Sequence, residues 1–287
     1  MSYTSIAKTR IMMIAPRARS LSMPYKYNFN RCHLLIRNSY NNNMRIHRVY
    51  CKSVSGPNTK FALDNIQSHH LIKALRLKEG RVVEVFDGNG SSASCEIVLL
   101  NNNKCELERI SEVNKDNEPH RTLTNIIPFI KTNNFNYMIQ KLSEIGVNKF
   151  IIYKPELCDQ SIAKKDLEKI IQRSKDIIIN VCKQCGNNFL PQIIHTRNLD
   201  EAINLIEDDN NKYVFDTDAE KYFSFEELGS TSSITTITGP ESGFSEKELD
   251  SIKKNNIEIR YLGENILKAE TAPIFVSSIV KNHFGKI

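Results

Sequence analysis

Two stretches of this chain put bare backbone, hydroxyls and charge at the ends of strand-like runs. In the first, Thr238-Gly-Pro-Glu-Ser-Gly-Phe-Ser245, two glycines and a proline make a tight loop whose N–H and C=O groups lie open to a ligand. Ser245 and Glu248 have the spacing of a capping box and start the next helix. The loop lacks the Gly-Lys-Ser/Thr end of a Walker A loop and the spacing of a dinucleotide fingerprint. Most such loops are ordinary strand-to-helix turns. The second stretch, Tyr261-Leu-Gly-Glu-Asn-Ile-Leu-Lys-Ala-Glu-Thr-Ala272, carries Lys268 and Glu270 into a helix that has Pro273 in its first turn. Gly239 and Gly263 are 24 residues apart with one helix between them, so the two loops are expected side by side at one sheet edge.

A third feature, Cys182-x-x-Cys185, has the spacing of half a zinc site or a redox pair. No second pair complements it, and Cys182 continues the apolar stripe of Ile171, Ile178 and Val181. It reads as a buried structural thiol. The seven cysteines are scattered and no secretory segment is visible, which fits a reducing compartment with free thiols.

The elements that must position the loops fall into two groups. From Met44 to about Val113 the runs Arg45–Tyr50, Arg81–Phe86, Cys95–Leu100 and Cys105–Ile110 read as strands, with turns at Asp87–Gly90 and Asn101–Asn103. One short helix, Ser68–Leu75, is expected among them, stopped by Gly80. This is the pattern of a small β-barrel. After a polar linker, Ser111–His120, strands and helices alternate. Strands are expected at Leu123–Ile130, Lys149–Tyr153, Gln192–His195, Lys212–Phe215, Ile234–Thr238 and Ile257–Leu262. Helical faces lie between them, stopped by Gly146 and Gly186, with further helices at Leu199–Glu207, Ser245–Asn255 and Thr271–Phe284. Such alternation means an α/β domain with a mostly parallel sheet and a ligand site at the strand C-terminal ends.

Composition sets the limits. The chain has 287 residues, 40% apolar and 25% charged, the balance of a globular protein. No apolar run reaches the ~18 residues of a membrane span. Residues 1–43 hold seven of the 39 Lys and Arg and none of the 33 acids, so residues 44–287 carry 32 against 33, a net charge of −1. The basic balance therefore belongs to the extension, and nucleic-acid binding by the rest requires local gathering of cations. The extension is Arg-rich and Ser-containing like an organellar transit peptide, but Met44 is expected to be the functional start.

Gly239-Pro-Glu-Ser-Gly-Phe-Ser245 followed by Leu262-Gly-Glu-Asn-Ile-Leu-Lys-Ala-Glu-Thr-Ala272 resembles the two C-terminal motifs of the ribosomal RNA small subunit methyltransferase E family. His69-His-Leu-Ile-Lys-Ala-Leu-Arg-Leu-Lys-Glu-Gly80 with Val85-Phe-Asp-Gly88 resembles that family's N-terminal domain, and Met44–Tyr50 its start. Gln140–Val147 and Gln184-Cys-Gly186 resemble its middle motifs. The chain departs from the family at Ser242 (usually Gly), Lys268 (usually Arg), Asn187 (commonly Arg) and Pro155–Ser161.

The resemblance implies a fold class of α/β: a SPOUT-type methyltransferase domain with a trefoil knot over residues 120–287, and a small PUA-like RNA-binding β-barrel over residues 44–115. It implies a cytoplasmic homodimer, organellar only if the extension is a genuine transit peptide. It implies transfer of a methyl group from S-adenosyl-L-methionine to N3 of a uridine in 16S ribosomal RNA of the small subunit, without metal or membrane. Thr238, Gly239, Glu241 and Gly243 on the first loop, and Leu262, Gly263, Ile266, Leu267, Thr271 and Ala272 on the second, would hold the cofactor. Lys268 would offset charge on the base once its N3 proton leaves. Glu270 is a candidate base, though a carboxylate there also caps a helix, the reading favoured here. Arg45, Arg48, His69, His70, Lys73 and Arg76, with Lys78, would face RNA. The rival readings are an RNA-binding module with an inactive methyltransferase domain, and a nucleotide-binding enzyme unrelated to RNA.

Overall fold

The computed structural model describes residues 46–101, 104–158, 167–206 and 211–285, so the extension 1–43 and Arg45 lie outside the described residues. The first sheet comprises β1 (Arg48–Tyr50), β2 (Lys60–Ala62), β3 (Val82–Phe86), β4 (Ser91–Asn101), β5 (Lys104–Arg109) and β6 (Asn114–Lys115). Its order is β1-β3-β4-β5-β2, with β6 on β4; β1 runs parallel to β3 and the other pairs are antiparallel. Alternation turns Val83, Val85, Cys95, Ile97 and Leu107 into a core closed by Val54, Leu63 and Leu71. The expected helix starts earlier, at α1 (Asn65–His69), because the Asp64 carboxylate accepts from Gln67 N at 2.7 Å and caps it. It continues as a π turn, His70–Ala74, and Arg76 follows with φ 50°. The helical run therefore ends before Arg76, and Gly80 does not stop it.

The second sheet is parallel throughout: β7 (Thr122–Pro128), β8 (Lys149–Tyr153), β9 (Gln192–Thr196), β10 (Asn211–Phe215), β11 (Ser233–Thr238) and β12 (Glu258–Arg260). Its helices are α2 (Thr132–Ile145), α3 (Leu167–Cys185), α4 (Leu199–Ile203), α5 (Glu246–Lys254) and α6 (Thr271–His283). Gly146 ends α2 at φ 91° and Gly186 follows α3 at φ 81°, as the sequence pattern requires. Both sheet faces are buried, so the strands read as nearly continuous apolar runs. Leu123, Ile127, Phe150 and Ile152 pack toward α2, α3 and α6, while Ile126, Ile151, Val214 and Ile237 pack toward α4 and α5.

Strand order decides where the loops end up. The sequence β12-β10-β11-β7-β8-β9 places β10 between β11 and β12. The strands that carry the two notable loops are therefore not adjacent, yet both loops open at one edge of the sheet, as expected, and line the same cleft. After β12 the chain crosses back to set α6 against β7 and β11.

The small sheet is joined to the large domain at the Asp87–Gly90 turn. Leu190 N donates to Gly88 O at 2.9 Å and Gly90 N to Asn188 O at 3.0 Å. A Cβ at Gly88 would lie 2.8 Å from Leu190, and one at Gly90 would strike the Phe189 ring. Arg48 sits at the same seam and is not a free RNA contact. Its Nη1 donates to Cys182 O at 2.5 Å, its Nη2 to Asn188 Oδ1, and its guanidinium stacks 4.5 Å over Phe86. Glu84 pairs with its Nε at 3.4 Å, and the side chain is only 10% exposed.

Candidate functional site

Loops after β10, β11 and β12 enclose a cleft of about 1020 Å³ at the C-terminal edge of the large sheet. This is where an open α/β sheet presents its loops to ligand. The first-loop residues Thr238, Gly239, Glu241 and Gly243 line it, as do Leu262, Gly263, Ile266, Leu267 and Ala272 of the second. Lys268 lines it and is exposed. Glu270 and Thr271 are not among the lining residues. Glu270 occupies the N-cap position of α6 but makes no side-chain capping bond, so the capping role is not realised. The backbone closes that turn itself, with Thr271 N and Ala272 N donating to Lys268 O at 2.8 and 3.0 Å.

A third wall, Phe215 to Lys221, was missed by the sequence reading. The rule that pointed to the other two loops applies equally to the end of β10, since Asp216-Thr-Asp218 opens a turn there and Asp218 N donates to Asp216 Oδ1 at 2.9 Å.

The first loop starts from a fixed point, because the buried Tyr153 hydroxyl donates to Thr238 O at 3.1 Å. Burial holds the Tyr153 phenol well above its ordinary pKa, so it keeps its proton. The Ser245–Glu248 capping box forms as expected: Glu248 N donates to Ser245 Oγ at 3.2 Å and Ser245 N to Glu248 Oε2 at 2.8 Å. A Cβ at Gly239 would sit 3.1 Å from the Phe244 ring, so glycine there makes room for Phe244. Gly243 (φ 74°) and Gly263 (φ 151°) need glycine for their backbone conformation, and the space beside each is open.

Two properties bear on what the cleft can hold. Thr238 Oγ1 is buried without a hydrogen-bond partner, in a residue only 2% exposed. A buried orphan polar atom at a cleft wall suits a polar ligand group. Charge is the second property. Asp216, Asp218, Glu220, Glu241, Glu258 and Glu264 line the cleft, against Lys221, Lys253, Arg260 and Lys268. Arg260 and Glu258 pair with each other, Nη1 to Oε2 at 2.8 Å, and Arg260 Nη2 also lies 2.7 Å from Glu227, so five acids remain against three lysines. The excess of acids favours a cation.

Of the other sequence candidates, His69, Lys73 and Arg76 are exposed on or just after the α1–π segment, and His70 is half-buried. Burial, then Lys183 and His47, lower the His70 pKa, so the imidazole resists protonation. Asn187 Oδ1 accepts from Phe189 N at 3.0 Å, shaping the seam segment. Cys182 is buried, and Cys182 and Cys185 are free thiols. Among the described residues no group of His, Cys, Asp and Glu could hold a metal ion. No described helix is long and apolar enough to cross a membrane.

Comparison with known proteins identifies relatives. A family model described as an RNA methyltransferase domain matches residues 117–281, and one described as an RNA methyltransferase PUA domain matches residues 63–108. The chain is 30% identical over 223 residues to the ribosomal RNA small subunit methyltransferase E of Mesomycoplasma hyopneumoniae (strain 232), covering 75% of this chain and 91% of that protein. It is 27% identical over 244 residues to the protein of that name from Buchnera aphidicola subsp. Schizaphis graminum, covering 85% and 98%. The crystal structure of the Neisseria gonorrhoeae ribosomal RNA small subunit methyltransferase E bound to S-adenosyl methionine matches with a TM-score of 0.75 at 22% identity, covering 83% of this chain and 98% of that one. That of a predicted RNA methyltransferase from Thermotoga maritima matches with a TM-score of 0.65 at 26% identity, covering 84% and 100%.

Proposed function

This chain belongs to the ribosomal RNA small subunit methyltransferase E family, and on that premise we propose that it methylates N3 of one uridine in 16S ribosomal RNA. It is an S-adenosylmethionine-dependent ribosomal RNA methyltransferase with a SPOUT-type α/β domain and an N-terminal PUA domain. The observation that carries the reading is the acid-rich cleft with the orphaned Thr238 hydroxyl at the ends of β10, β11 and β12. The cleft fits the cofactor: a sulfonium is a cation, and the adenine needs apolar and backbone surface. When bound, the cofactor supplies an electrophilic methyl group.

This chain's own residues do the rest. Thr238, Gly239, Glu241 and Gly243 hold one side of the cofactor, and Leu262, Gly263, Ile266, Leu267 and Ala272 the other. Thr271 acts through the backbone turn that fixes Lys268. N3 of uridine carries a proton, so its removal puts negative charge on the base, which transfer of the methyl group from the sulfonium then neutralises. Lys268, exposed on the cleft wall, is placed to offset that charge. Glu270, two residues on and without a capping bond, is retained as a candidate proton acceptor. Residues 44–115 are assigned RNA docking through His69, Lys73 and Arg76, and residues 120–287 the chemistry. Phosphate contacts by Lys73 and Arg76 would position the RNA without reading its sequence.

We further propose a cytoplasmic homodimer. Ile274 and Ile279 pack against the core and Val280 is buried in it, so the exposed large apolar side chain of α6 is Phe275, 41% exposed, with Ile266, 82% exposed, on the loop before it. Nucleoside mass spectrometry of small subunits from a strain lacking this gene tests the main proposal. Treatment with the protein and S-adenosylmethionine is expected to produce 3-methyluridine. Methyl groups found only on ribose, on another base or on protein contradict it.

A further inference from the structure

The first cofactor loop does not stand alone. Ser242 Oγ donates to Leu157 O at 2.6 Å, across to the segment that follows β8. Glu156, beside Leu157, accepts from Ser245 Oγ and pairs with Lys247 Nζ at 2.8 Å. The return bond runs from Glu156 N to Glu248 Oε1 at 3.1 Å, and both members of the capping box, Ser245 and Glu248, are buried. Four connections thus tie residues 156–157 to residues 242–248.

We propose that Glu156 and Ser242 are positioning residues that strap the loop after β8 to the first cofactor loop and hold residues 239–243 ready for the cofactor. The proposal rests on the reading of the cleft as the S-adenosylmethionine site. Within that loop Gly243 N donates to Pro240 O at 3.0 Å. Glycines at 239 and 243 leave the backbone many alternatives in the free protein. Anchoring Ser242 and Ser245 from outside removes those alternatives before binding, and preorganisation of this kind appears as affinity. The Glu156 carboxyl is held below its usual pKa, first by Lys247 and then by Ser245, so the strap persists throughout neutral pH.

Calorimetric titration of the full chain with S-adenosylmethionine tests this, using Ser242→Gly, Glu156→Ala and Glu156→Gln. Loss of one net hydrogen bond predicts binding weaker by about three- to tenfold in Ser242→Gly and in Glu156→Ala. Glu156→Gln keeps an acceptor for Ser245 but not the charge for Lys247, and its affinity falls between. In Glu156→Ala, KM for the cofactor rises while kcat at saturation stays within about twofold, a split that general loss of structure would not produce. Unchanged affinity in both Ser242→Gly and Glu156→Ala, beside a wild type that binds, overturns the strap. If the wild type itself binds no S-adenosylmethionine, the cofactor reading falls, and hydrogen exchange of residues 239–245 in the unliganded protein decides the strap. Faster exchange in both variants supports it and unchanged exchange refutes it.

Discussion

Arg48→Ala separates two roles for a residue that sequence alone places on an RNA-binding surface. Its side chain is 10% exposed and bridges the small sheet to the C-terminal end of α3 through Cys182 O, Asn188 Oδ1 and Glu84. Truncation leaves a buried carbonyl and a buried amide oxygen without their donor. A hydrogen bond involving a charged group contributes about 1.5–3 kcal/mol, so the two together contribute about 3–6. We expect a loss of about 4 kcal/mol, a large share of the ~5–15 kcal/mol typical of a folded protein. At about 2–4 °C per kcal/mol, the thermal midpoint by circular dichroism falls by about 8–16 °C. Arg48→Lys keeps the charge but not the planar fork, and recovers less than half of the loss. An RNA-contact role predicts the reverse: an unchanged midpoint, and RNA binding whose salt dependence weakens by nearly one unit of slope per lost phosphate contact. That outcome would refute the seam assignment.

Lys268→Ala is expected to leave cofactor affinity nearly unchanged and to slow single-turnover methylation by about 100-fold, with Lys268→Arg restoring the rate; a change below about twofold removes Lys268 from the chemistry. Arg260 holds the Glu227 carboxyl below its ordinary value of 4.5 through a direct hydrogen bond. Because the folded-state pKa is depressed, this stabilisation is fully present above the ordinary value and is lost as pH falls through the depressed one. Acid titration of the melting midpoint should show that loss in the wild type and a smaller one in Glu227→Gln, whereas identical curves would discount the pair. Sedimentation at micromolar concentration is expected to give twice the 32.9 kDa chain mass, and Phe275→Glu to shift it toward monomer. A fully active 32.9 kDa species contradicts the dimer.

Local chemistry was the legible part of the sequence. Gly146 and Gly186 mark helix ends, and Ser245 with Glu248 marks a helix start, because each signal acts within one turn of its own element. The Asp64 cap is equally local, and it starts α1 at Asn65, before the apolar spacing that marks Ser68–Leu75. Strand order was not legible. That β10 lies between β11 and β12 is a long-range pairing that periodicity does not encode, and the Phe215–Lys221 wall was missed with it. The fate of individual charges was equally hidden. Arg48 and Lys73 look alike in sequence, yet Arg48 is tied across the seam to Cys182 O at the end of α3 and to Asn188 Oδ1, while Lys73 is exposed. Ile274, Ile279 and Val280 look like spare apolar surface on α6 until the sheet beneath them is known. Gly239 was expected to clear space for a ligand, and its nearest constraint is the Phe244 ring.

On the function proposed above, the three loops at the ends of β10, β11 and β12 close on one cofactor. Hydrogen exchange with mass spectrometry, with and without saturating S-adenosylmethionine, tests it most directly. Residues 215–221, 238–245 and 261–269 should gain protection together, while the small sheet and the Asn187–Pro191 seam remain unchanged. Protection confined to the smaller cavity of about 370 Å³ near Cys185 and Lys281, or protection of only one of the three loops, would contradict the account.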